Sequence, residues 1–302
     1  MRKATVNVSL RERKFRRIAY LFVLPALLFF ILMNAYPLIS VLWDSFHFKN
    51  MLNKAVSGFA GLANYREVFA NEYFWGALRN TVIWTVLSVA GEYIFGLISA
   101  VALNQNIKGR TLFRALVIVP WVVPIVVAGL TWDWMLSPDY GVINYWLTSL
   151  GIIDEPIYWL GEMNTALLTI VFVNIWRSFP FFTITLLAGL QSVSRDALEA
   201  AAIDGAGVRQ RFFKIVMPQL KTVSITIIFV HIIWTAINFD FIWIMSEGGP
   251  LHSSETLPIM IYRYAMQEYN FGSASALASM MLGFMLCGFL IYYMYTSRKN
   301  RA

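Results

Sequence analysis

Long apolar blocks recur along the chain, and short polar stretches between them hold most of the charge. A helix needs about 20 apolar residues to cross a hydrocarbon core. Six blocks reach that length, at roughly 18–43, 77–103, 112–136, 164–190, 222–246 and 272–296. None shows the polar and apolar alternation of a membrane barrel strand. The pattern therefore predicts an all-α, polytopic membrane protein with six transmembrane helices. The first block follows a basic cluster of Arg2, Lys3, Arg11, Arg13, Lys14, Arg16 and Arg17. It is longer than the core of a secretory signal, which runs to about 7–15 residues. The expectation is a retained helix behind a basic tail at 1–17, with the membrane domain over 18–302.

Composition agrees. Hydrophobic residues make up 58% of the chain and charged residues 14%, against about 25% charged in soluble domains. The net charge of +7 follows from topology rather than from a nucleic-acid surface. Eighteen Lys and Arg lie in the tail, the 104–114 turn, the 191–221 loop and the C-terminus, and five lie in the opposite connections. Basic-rich connections face the cytoplasm, so both termini are expected inside. The 137–163 loop has no Lys or Arg but holds Asp139, Asp154, Glu155 and Glu162, and is expected outside. Cys287 is the one cysteine, and His47, His231 and His252 are far apart in sequence, so no metal cluster is expected. Pro25, Pro37, Pro120, Pro124 and Pro180 fall within spans; most read as local kinks that neighbouring helices accommodate.

The 191–221 loop is the most informative stretch. Ser194 can cap a helix whose first turn holds Asp196, and Ala197 through Ala202 favour helix. Gly205 and Gly207 permit a sharp change of direction. A second short helix is expected from about Val208 to Val216, ended by Pro218. A small-sided helix on the cytoplasmic face either fits a groove on another protein or rests on lipid headgroups.

Glu199-Ala200-Ala201, three residues, Gly205, nine residues and Ile215-Val216-Met217-Pro218 resemble the signature loop of importer permeases. Met217 stands where that pattern has Leu, a change that conserves volume. Pro120-Trp121-Val122-Val123-Pro124, Ala188-Gly189-Leu190-Gln191, Phe239-Asp240 and Gly248-Gly249-Pro250 are similar to carbohydrate-type permeases, the maltose and glycerol-phosphate group. The resemblance covers nearly the whole chain. It implies the permease subunit of an ATP-binding-cassette importer in the cytoplasmic membrane of a bacterium or archaeon. The implied partners are a second homologous permease, expected as a heterodimer, an ATPase dimer that carries ATP and Mg, and an extracytoplasmic solute-binding protein. The implied ATPase-coupling residues are Glu199, Ala200, Ala201, Asp204, Gly205, Ala206 and Pro218.

The rival readings are weaker. A membrane enzyme needs a nucleophile with its base or a metal cluster, and neither His-Glu-x-x-His nor Gly-x-Ser-x-Gly occurs. Without a Walker-type phosphate loop, the chain itself is expected to hold no ATP. A secondary transporter shows repeated halves and more intramembrane charge. Eleven Trp, 14 Tyr and 23 Phe offer stacking faces for sugar rings, but aromatics also populate membrane interfaces. Neutral sugars, acidic oligosaccharides, glycerol phosphates and other polar solutes all stay open. Glu92 and Arg177 lie within spans and must face protein or water. Either they pair with each other, or Arg177 and Asn174 line the solute pathway, with Asn238 and Asp240 as further candidates nearer the outer face.

Overall fold

The computed structural model describes residues 10–52, 57–106 and 108–299. Arg2 and Lys3 of the expected tail, together with Lys54 and Arg301, lie outside the described residues. The chain divides into two compact units: residues up to Val68 with Tyr264–Met280, and Phe69–Arg263 with the segment from Met281 onward.

In the first unit α1 (Leu10–Phe30) passes through a π turn at Ile31–Ala35 into α2 (Tyr36–Asp44). Together they give one apolar span, Ile18–Asp44, whose side chains are not buried within the chain. A short antiparallel hairpin follows, β1 (His47–Lys49) against β2 (Ser57–Phe59), with Phe48 opposite Gly58. On α3 (Ala63–Ala70), the buried Asn64 amide donates to the carbonyls of Ser45 and His47, both at 2.9 Å. Asn270 donates to Glu67 at 3.0 Å.

The second unit is built around two long helices, α4 (Glu72–Asn104) and, later in the chain, α8 (Ala166–Gln191). Asn71 starts α4 by accepting a hydrogen bond from the Tyr73 amide at 2.9 Å. The two helices pack closely because α4 is small-sided at Gly91 and Gly96, which face Ile175 and Phe182. Between them lie α5 (Arg110–Val122), α6 (Ile125–Leu136) and α7 (Val142–Ser149).

The span expected over 112–136, with local kinks at its prolines, is broken far more sharply than a kink. Alpha5 and α6 are bent by 91° at Val123-Pro124. Proline lacks an amide hydrogen and pushes the preceding residue out of the helical region; Val123 accordingly sits at φ −62°, ψ 128°. Pro120, Pro25 and Pro180 remain inside their helices.

After α8 come α9 (Arg195–Ile203), α10 (Val208–Arg211) and, beyond a π turn at Phe212–Val216, α11 (Met217–Ala236). The fifth span is therefore Val208–Ala236, not 222–246. Its expected outer third is a separate helix, α12 (Asp240–Ser246). A short α13 (Leu257–Tyr262) and a π turn at Arg263–Gln267 lead to α14 (Phe271–Lys299). Among the described residues five helices are long and apolar enough to cross a membrane, or six if the bent pair is one span.

Core residues cluster at two levels. Trp84, Ile170, Val173, Phe241 and Ile259 form one group, and Val89, Ala100, Phe182, Leu186 and Leu220 the other. The segment around Gly248-Gly249-Pro250 is tied down by Asn80, whose amide donates to the carbonyls of Ser253 and Glu255 at 3.0 Å. The buried Glu255 carboxylate meets Arg263 at 3.0 Å and also His252.

Candidate functional site

Two arrangements carry chemistry. The first is an intramembrane polar node. Glu92 is 1% exposed on α4, and both of its carboxylate oxygens are engaged. Asn174 Nδ2 of α8 donates to Oε1 at 2.9 Å, and His231 Nδ1 of α11 lies 2.9 Å from Oε2. One carboxylate thus joins three spans. Burying it unaided would cost several kcal/mol, and hydrogen bonds to both oxygens offset part of that. The imidazole is enclosed by rings, with Phe182, Phe181 and Trp234 centroids at 4.4, 5.1 and 5.4 Å. His231 Nε2 is buried without a hydrogen-bond partner among the described residues.

Arg177, one turn beyond Asn174, makes no ion pair within 4 Å with Glu92. His231 and Asn174 hold the two carboxylate oxygens. The half-buried guanidinium has an Nε without a hydrogen-bond partner among the described residues. Asn174, one of the expected pathway residues, is committed to Glu92. Asn238 is engaged too: its Oδ1 accepts from the Phe241 amide at 3.1 Å, at the start of α12. Asp240 is exposed in the first turn of that helix, where a negative charge is favourable. His231 is the residue that sequence reasoning missed. Its signal was a single histidine in the apolar run Ile225–Trp234, since a lone ionisable group in a span needs a partner.

The second arrangement is the loop after α8. Ser194 caps α9 by accepting from the Ala197 amide at 3.2 Å. At the other end the Gly205 amide donates to Ala202 O at 3.1 Å and the Ala206 amide to Ala201 O at 2.8 Å. That pair of bonds is a Schellman closure, which requires a left-handed residue after the helix. Gly205 supplies it at φ +82°. Gly207, at φ −65°, needs no such freedom; it stands before α10, where Gln210 Oε1 accepts from its amide at 3.1 Å.

Pro218 does not end a helix, contrary to expectation. It lies in the first turn of α11, and the π turn at Phe212–Val216 just before it absorbs the missing amide. The short helix expected over 208–216 is thus the start of the fifth span. Glu199, Ala200, Asp204, Gly205 and Pro218 are exposed, whereas Ala201 and Ala206 are half-buried. Next to them stands an apolar residue outside the expected set, Ile203, which is 87% exposed.

A short helical loop lies between two long apolar spans, and sequence comparison decides what kind of membrane protein carries it. Residues 92–301 match the family described as binding-protein-dependent transport system inner membrane component. The chain belongs to this family. It is a multi-pass membrane protein and the permease component of such a transport system. It is 34% identical to the trehalose/maltose transport system permease protein MalF of Thermococcus litoralis, over 98% of both chains. It is 32% identical to the sulfoquinovosyl glycerol transport system permease protein SmoG of Agrobacterium fabrum, over 94% of this chain and 92% of that one. In fold it matches a bacterial ABC transporter involved in import of the acidic polysaccharide alginate. There the TM-score is 0.82 at 21% identity, covering 95% of this permease and 98% of that chain.

Proposed function

We propose that this permease forms, with a second and different permease, the pathway of an ATP-driven importer for a carbohydrate. An external solute-binding protein delivers the carbohydrate, and a pair of ATPase subunits that bind ATP and Mg drives the cycle. The reading puts both termini and α9 in the cytoplasm of a bacterial or archaeal cell. The printed roles of the relatives, trehalose/maltose and sulfoquinovosyl glycerol transport, support a solute built on a sugar.

The loop geometry carries the mechanical half of this reading. Alpha9 buries none of its residues, yet its two ends are fixed by Ser194 and by the Gly205 closure. A short, pre-formed helix loses little entropy when it docks. The exposed Ile203 gives it an apolar anchor for a groove on the ATPase, beside Glu199, Ala200, Asp204 and Gly205. Behind it, the continuous Val208–Ala236 helix runs to His231, so a push on α9 is transmitted along a rigid rod into the polar node. Within the membrane, Arg177 is the leading candidate for a solute contact, because its hydrogen-bonding capacity is not consumed by its neighbours.

The test is Gly205→Val in the intact transporter. A Cβ there meets no atom within 4 Å, so crowding is absent. The substitution acts through backbone strain of about 1–3 kcal/mol. Expected is a roughly tenfold or greater fall in uptake and in solute-stimulated ATP hydrolysis, with solute binding by the external protein unchanged. Normal uptake and hydrolysis in this variant would overturn the coupling role.

A further inference from the structure

A cavity of about 270 Å³ opens between the ends of α4, α5 and α8. Its lining changes character with depth. Arg114 in the first turns of α5, Gln191 at the end of α8 and Leu103 at the end of α4 lie towards the helix ends, and Val117, Leu187 and Thr183 line the rest. Thr183 and Gln191 are eight positions apart on one helix, so the cavity reaches about 12 Å from rim to interior. The Thr183 hydroxyl donates to Phe179 O at 3.1 Å, which leaves the interior apolar.

Arg114 is the charged residue of the lining, and it makes no ion pair among the described residues. Arg110 stands one turn before Arg114 on the same face of α5, and Lys108 lies just ahead. Like charges four residues apart on a helix repel. No Asp or Glu occurs on α5, on α8 or on α4 after Glu92. Both arginines have a buried Nε without a hydrogen-bond partner among the described residues.

A basic rim above an apolar shaft at the end of membrane helices fits an amphiphile whose head is an anion and whose tail is a hydrocarbon. We propose that this cavity binds an anionic phospholipid, its phosphate on Arg114 and an acyl chain against Val117 and Leu187. Basic pockets between membrane helices on the cytoplasmic side hold lipid headgroups in this way. A bound phosphate relieves the repulsion between the two arginines and packs the bend-bearing α5 against α4 and α8.

The experiment uses the complete transporter purified with its partner subunits. Native mass spectrometry reads retention of dioleoyl phosphatidylglycerol against dioleoyl phosphatidylcholine, two lipids with the same chains. The parent should prefer the anionic lipid by about fivefold or more, as expected from one well-placed basic residue. Arg114→Gln should bring that preference close to one, and Arg114→Lys should keep most of it. Val117→Trp, which fills the shaft and leaves the rim charged, should also displace the lipid. Each variant is accepted only if it elutes as an intact complex. A parent without headgroup preference, or an Arg114→Gln complex that keeps it, overturns the proposal. Displacement of the lipid by millimolar inorganic phosphate, with Val117→Trp behaving like the parent, would mark a free-anion site and overturn the lipid reading.

Discussion

The contact between α4 and α8 gives a graded test of how these spans are held together. At Gly96 a methyl group would overlap Cβ of Phe182 and come within 3.2 Å of Phe179 O and of the Phe182 carbonyl carbon. Backbone atoms of a long helix cannot rotate away, so the helices must separate. Such overpacking costs about 1–3 kcal/mol. Alanine also gains about 0.5–1 kcal/mol over glycine within a helix. That gain is isolated by Gly76→Ala on the same helix, where the added methyl meets nothing within 4 Å. Gly96→Ala should therefore be less stable than Gly76→Ala by about 1–3 kcal/mol. Gly91→Ala should fall between the two, because the methyl would press on the side chain of Ile175 rather than on backbone. Equilibrium unfolding of the reconstituted chain measures all three. If Gly96→Ala and Gly76→Ala agree within about 0.5 kcal/mol, the scatter of neutral surface substitutions, the close approach at Gly96 is not a determinant of the fold.

The polar node predicts a coupling between distant positions. Glu92→Ala and His231→Ala combined should cost less than the sum of the single changes, by about 0.6–1.7 kcal/mol, the span of interhelical hydrogen bonds in membranes; additive costs would mean that the contact contributes nothing. Arg177→Ala should assemble with its partners and unfold like the parent but lose most uptake, and parent-like uptake would remove Arg177 from the solute pathway.

Most of the architecture was legible because membrane burial is read from length and composition. The second, fourth and sixth blocks correspond to Glu72–Asn104, Ala166–Gln191 and Phe271–Ser297 within a few residues. The differences at the third and fifth blocks share one cause. A hydropathy block records how apolar a stretch is but not where the backbone turns. Pro124 bends the third block by 91°, and a break at 237–239 divides the fifth from the equally apolar α12. The loop was more legible than the membrane interior. Its caps are local: Ser194 reaches three residues and Gly205 closes a turn upon Ala201 and Ala202, so neighbouring letters suffice to predict them. Glu92, Asn174 and His231 are separated by 82 and 139 residues along the chain. Each was visible as a polar residue in an apolar run, and each had to find a partner. Which partner depends on helix rotation and crossing, set by pairs such as Gly96 with Phe182. A carboxylate with two oxygens accepts two good donors. Once a neutral carboxamide and an imidazole reach them, the arginine one turn away need not supply the pairing. That is the physical reason the first of the two alternatives, an ion pair of Glu92 with Arg177, is not the arrangement observed.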